Sequence, residues 1–88
     1  MYKIDRKSML ELNNDSKNLQ YQLKGIGIGV EFHGGFWAEY VYLSTEDGYM
    51  VRILANGVVY MNQGWYALLN EAEKYLVDEY IDYIKRWI

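Results

Sequence analysis

The sequence predicts an α+β domain: a four-stranded antiparallel meander, preceded by a short amino-terminal helix and followed by a long carboxyl-terminal helix packed on one sheet face. Three observations carry that expectation. Turn signals cut residues 26–62 into four short apolar runs, and the apolar positions within each run alternate. From Trp65 the spacing becomes helical, in a chain with no proline and no glycine after Gly64. At 88 residues the chain fits one domain spanning 1–88.

The amino-terminal helix can start at Asp5 or Ser8, both N-cap types, with Met9, Leu10 and Leu12 as its apolar contribution. Asn13-Asn14-Asp15-Ser16 reads as a break. Alternation follows, with Leu19, Tyr21 and Leu23 on odd positions and then Ile26, Ile28, Val30 and Phe32 on even ones. Strand side chains repeat every two residues, so the change of parity at Lys24-Gly25 implies a bulge, a bend or a new element there.

His33-Gly34-Gly35 then separates Ile26–Phe32 from Phe36–Leu43, and Thr45-Glu46-Asp47-Gly48 separates the latter from Tyr49–Leu54. Asn56-Gly57 separates that run from Val58–Asn62 and is a strong two-residue hairpin signal. The final helix runs from Trp65 to about Trp87. Glu71, Lys74, Asp78, Asp82 and Lys85 occupy a narrow polar sector, and the apolar arc is wide enough to touch more than one surface.

A two-residue Asn56-Gly57 turn pairs Leu54 with Val59 and Ile53 with Tyr60. Setting Ser44 opposite Tyr49 places Tyr42 beside Val51 and Tyr40 beside Ile53. One face of the sheet then carries Phe36, Ala38, Tyr40, Tyr42, Val51, Ile53, Ala55, Val58 and Tyr60, together with Ile26, Ile28, Val30 and Phe32, and seats the long helix. The other carries Glu31, Trp37, Glu39, Val41, Leu43, Met50, Arg52, Leu54, Val59 and Met61, beside glycines 25, 27 and 29. A one-sided sheet should be polar there, so this second face is either covered by the amino-terminal segment or open to a partner.

Composition narrows the function classes. Half of the residues are hydrophobic (51%), which is too many for a disordered chain, and ten tyrosines, three tryptophans and two phenylalanines can fill a core. There is no cysteine, hence no disulfide scaffold, thiolate zinc site or thiol nucleophile. No apolar run approaches the ~20 residues of a membrane span, and Met1–Lys7 lacks the apolar stretch of a signal peptide, so a cytoplasmic protein is expected. The net charge of −3 is uneven: residues 1–24 sum to +2 and residues 25–88 to −5. Clustered basic residues that neutralise phosphates are missing, which argues against direct nucleic-acid binding and suits a partner with a basic surface.

Catalytic and cofactor signals are weak. Lys24-Gly-Ile-Gly-Ile-Gly29 has strict alternation rather than the spacing of a phosphate loop, and reads as a strand whose bare face leaves room for Trp37. His33 is the only histidine and stands beside two glycines without companion ligands, while Ser8, Ser16 and Ser44 lie in no nucleophile motif. The expectation is a non-enzyme with no cofactor and no metal. Two binding classes follow: a small inhibitor or adaptor that occupies a larger protein, and a self-associating homodimeric module. A small-molecule binder using the trough beside Trp37 is a third.

The order of elements, ending in a helix rich in tyrosine and acid, resembles some phage and mobile-element anti-defence proteins, including anti-CRISPR inhibitors. In that class acidic side chains often occupy a nucleic-acid channel of the target. By that analogy Glu31, Glu39, Glu46, Asp47, Asp78 and Asp82 are the candidate contacts. Trp37, Val41, Arg52 and Met61 complete the candidate surface through the second sheet face.

Overall fold

The computed structural model describes residues 14, 16–33 and 40–87. The described elements run in the order α1 (Lys17–Gly25), β1 (Gly29–His33), β2 (Tyr40–Thr45), β3 (Gly48–Leu54), β4 (Val59–Met61), α2 (Gln63–Ala67) and α3 (Glu71–Trp87). The four strands form an antiparallel meander in the order β1-β2-β3-β4, and both long helices cover one side of it. The architecture is the expected α+β one. A helix over residues 5–12, together with Phe36, Trp37, Ala38 and Glu39, lies outside the described residues.

The segment read as alternating is helical. Leu19 and Leu23 satisfy a strand period and a helix period alike, and Tyr21 decides between them. It stands 80% exposed on the outer side of α1, while Leu23 is fully buried on the inner side. The parity change at Lys24-Gly25 is therefore the end of α1. Gly27 adopts φ +83°, the Ile28 N–H donates to the Leu23 carbonyl at 2.9 Å, and the Gly27 N–H donates to that of Lys24 at 3.0 Å. This is a Schellman termination, and the buried Leu23 and Ile28 form its apolar contact. Of the three glycines read as a strand, only Gly29 belongs to one.

Two local features shift the sheet register by one residue each. Ser44 does face Tyr49, but the pairing slips between Leu43 and Ser44, so that Leu43 faces Val51, Tyr42 faces Arg52 and Val41 faces Ile53. Met50 is the extra residue of this bulge. At the next turn the Gly57 N–H donates to the Leu54 carbonyl and the Leu54 N–H to that of Val58, both at 2.9 Å. Only Gly57, at φ +88°, has a positive φ, so Asn56 does not support a two-residue type I′ turn. Instead Ala55-Asn56-Gly57 makes a three-residue hairpin loop, and Ile53 pairs with Val59 and Arg52 with Tyr60.

Each one-residue slip moves a strand's side chains to the opposite face. Val41 (1% exposed) and Leu43 (0%) therefore lie in the core with Val51 and Ile53, and Met61 and Val59 pack against them. Tyr40, Tyr42 and Tyr60, expected under the helix, lie on the other side with Arg52. The helical layer contributes Leu23 from α1 and Val77, Tyr80, Ile81 and Ile84 from α3. The α3 residues recur at three- and four-residue intervals, and each buried aliphatic side chain contributes about 1.5–3 kcal/mol.

The carboxyl-terminal helix is also not continuous. Asn62 caps α2 by accepting from the Trp65 N–H at 3.0 Å. After a break at residues 68–70, Asn70 and Glu73 exchange reciprocal side-chain and backbone hydrogen bonds of 2.8 and 2.9 Å. This capping box restarts the helix as α3. The Tyr66 hydroxyl lies 2.9 Å from both carboxylate oxygens of Asp78 and ties α2 to α3.

Candidate functional site: a tyrosine face on the open side of the sheet

The side of the sheet away from the helices carries Glu31 and His33 from β1, Tyr40 and Tyr42 from β2, Tyr49 and Arg52 from β3, and Tyr60 from β4. Strand pairing places them. Glu31 faces Tyr42, His33 faces Tyr40, Tyr42 faces Arg52, and Arg52 faces Tyr60. The result is a row of rings over β1, β2 and β3 that the Arg52 side chain links to Tyr60 on β4.

The rings touch one another in fixed geometries. Tyr42 and Tyr49 stack at 4.1 Å between centroids with planes 22° apart, and His33 meets Tyr42 edge-on at 4.8 Å. Tyr40 lies 5.8 Å from Tyr42. The Arg52 guanidinium sits 4.8 Å from the Tyr60 ring centre and 5.9 Å from that of Tyr40, held by cation–π attraction. Among the described residues Arg52 takes part in no ion pair. Tyr49 and Tyr60 remain 55% and 53% exposed, so their rings face solvent.

Glu31 anchors the β1 end. Its carboxylate accepts from His33 Nε2 at 3.3 Å. That bond first, and the neighbouring Tyr49 hydroxyl second, hold the carboxyl below its ordinary pKa. The Tyr49 hydroxyl is in turn raised above its usual value, chiefly through its polar interaction with Glu31, which favours the protonated phenol. Toward β4 the face deepens into a shallow groove of about 340 Å³, lined by Tyr42, Tyr49, Met50, Arg52, Tyr60 and Asn62. Planar rings, hydroxyls and one guanidinium on an open surface are groups for recognition.

The expected contact residues separate. Glu31 and Arg52 lie on this face, whereas Val41 is enclosed in the core and Met61 packs on it, so neither can form a docking surface there. Glu46 and Asp47 sit at the β2–β3 turn, where the Asp47 N–H donates to Thr45 Oγ1 at 3.2 Å. Asp78 and Asp82 belong to α3, in the opposite layer, and Asp78 is engaged by Tyr66. Trp37 and Glu39 lie outside the described residues. The acids thus do not converge on one strip.

Four tyrosines of this face, at 40, 42, 49 and 60, were not among the expected contacts. A signal for the two in β2 is present in Tyr40-Val41-Tyr42-Leu43. Hydroxyl-bearing rings alternate there with pure hydrocarbon, and the hydrocarbon side is the one a dry core takes. Among the described residues no cluster of three His, Cys, Asp or Glu side chains could hold a metal ion, and no helix is long and apolar enough to cross a membrane. Comparison with known protein families, with curated proteins and with solved structures finds no match for the chain.

Proposed function

We propose that the chain is a non-enzymatic protein-binding module, an inhibitor or adaptor that occupies the surface of a larger protein through its tyrosine face. The observation that carries this reading is the ordered row of Tyr40, Tyr42, Tyr49 and Tyr60 around Arg52, with its outer rings half exposed. Tyrosine and arginine, with tryptophan, are the residue types enriched at interface hot spots. Rings already packed against each other lose little conformational freedom on binding.

The face also states what it fits. A flat apolar or planar group covers the Tyr42–Tyr49 stack, and a carboxylate on the partner meets the Arg52 guanidinium between its two rings. Among the described residues Arg52 is the one guanidinium or ammonium group on this face, too little charge for a phosphate backbone, which keeps the reading on protein rather than nucleic acid.

The test compares the tagged wild-type chain with a Tyr49→Ser/Tyr60→Ser variant, whose changes fall on exposed rings. Proteins retained by each are identified by mass spectrometry, and oligomeric state is read by light scattering. A monomeric wild type that retains a specific protein, lost in an equally folded variant, supports the proposal. Retention unchanged in the variant contradicts it. A wild-type dimer that the variant dissolves assigns the face to self-association instead.

A further inference from the structure

We propose that the groove between α1 and the outer edge of β1 binds an extended acidic segment of a partner protein, which joins the sheet as a fifth strand. The site is at the opposite edge of the sheet from Tyr60 and does not depend on the tyrosine face. β1 is the edge strand of the sheet, and among the described residues no strand pairs with its outer side, the position a further strand would take. Beside that edge runs a groove of about 430 Å³, with Lys17, Tyr21 and Lys24 on one wall and Ile28, Gly29 and Val30 on the other.

The wall from α1 is built by its periodicity. Lys17, Tyr21 and Lys24 are spaced by four and three residues and share one face, while Leu19 and Leu23 turn toward the core and fix the helix in place. The two lysines stand about 10 Å apart along the axis, at 1.5 Å per residue. Both are exposed, and among the described residues neither forms an ion pair. Tyr21 lies between them with its ring in solvent.

Charge selects the occupant. A second copy adding its own β1 would bring its Lys17 and Lys24 against these two, setting four like charges around one groove, which disfavours self-pairing. An incoming strand with acidic residues at alternate positions has the opposite character. Its backbone pairs with β1, and its carboxylates, all on one side because strand side chains alternate, reach Lys17 and Lys24.

The experiment uses the full isotope-labelled chain and a blocked nine-residue peptide of alternating glutamate and valine, followed by amide chemical shifts and hydrogen exchange. Shifts and slowed exchange at Gly29–His33 are expected. The Lys17→Glu/Lys24→Glu variant, with circular dichroism confirming its fold, is expected to bind about tenfold more weakly. A lysine-valine peptide should leave these amides unmoved. The proposal is overturned by equal response to both peptides, by unchanged affinity in the variant, by shifts confined to Tyr42, Tyr49 and Tyr60, or by dimerisation through β1.

Discussion

Tyr42 and Tyr49 lie face to face across the β2–β3 hairpin, ring centroids 4.1 Å apart and planes inclined by 22°. The bulge that sets Met50 aside from the ladder leaves both rings on the open face, although the residues opposite Val51 and Ile53 turn inward. Aromatic pairs of this kind contribute about 0.5–1.5 kcal/mol beyond the area they bury. A double-mutant cycle with Tyr42→Ala and Tyr49→Ala, read by urea unfolding, is expected to show a coupling in that range. Additive effects would mean that the rings do not stack in solution.

The end of α1 separates two neighbouring glycines. Gly27 holds φ +83°, where a Cβ costs about 1–2 kcal/mol, so Gly27→Ala should lower stability by about that amount. Gly25 is helical with nothing within 4 Å of an added Cβ, so Gly25→Ala should be neutral or stabilising by up to ~1 kcal/mol. Melting temperatures of the two variants give the comparison, and equal losses would favour a strand over residues 25–29.

Asn70 and Glu73 restart the helix after the break, each accepting from the other's backbone N–H. Asn70→Ala should cost about 1 kcal/mol in chemical unfolding, and Glu73→Ala part of that. A neutral Asn70→Ala would indicate that packing of Val77 and Tyr80 alone holds α3 in place.

Tyr80 is buried, and its hydroxyl lies 3.4 Å from Ser16 Oγ, which also accepts from Gln20 Nε2 at 2.7 Å. Burial raises its pKa from 10 to about 12, against the lowering effect of the Ser16 contact. Above pH 10 the unfolded chain releases this proton while the folded chain keeps it, so stability is intact below pH 10 and falls as pH rises toward 12. The loss is on the order of 2–3 kcal/mol. Tyr80→Phe should flatten that alkaline slope while costing about 1 kcal/mol at neutral pH. An unchanged slope would show that Tyr80 ionises as freely in the folded chain as in the unfolded one.

Turn chemistry made the meander legible. Glu46-Asp47-Gly48 and Asn56-Gly57 mark the two hairpins, and the helical spacing of Val77, Tyr80, Ile81 and Ile84 marks α3. Register was not legible, because a bulge and a third loop residue each insert a single position without altering the apolar alternation of either strand. Both Tyr40–Tyr42 and Val41–Leu43 read as apolar, so pattern alone assigned the tyrosines inward and the aliphatics outward. The same ambiguity hid α1, since Leu19 and Leu23 fit periods of 2 and 3.6 equally well. The candidate surface changed with the register, from an aliphatic patch to a tyrosine face.

Val41 and Tyr42 are adjacent in β2 and point to opposite sides of the sheet, so the same substitution at each tests the account most directly. Val41→Ser is expected to lose about 2–4 kcal/mol of unfolding free energy, whereas Tyr42→Ser should lose about 1 kcal/mol and stay folded at 25 °C but release the protein retained by the wild type. The opposite pattern, a tolerated Val41→Ser that loses its partner beside a Tyr42→Ser that unfolds, would contradict both the register and the binding face built upon it.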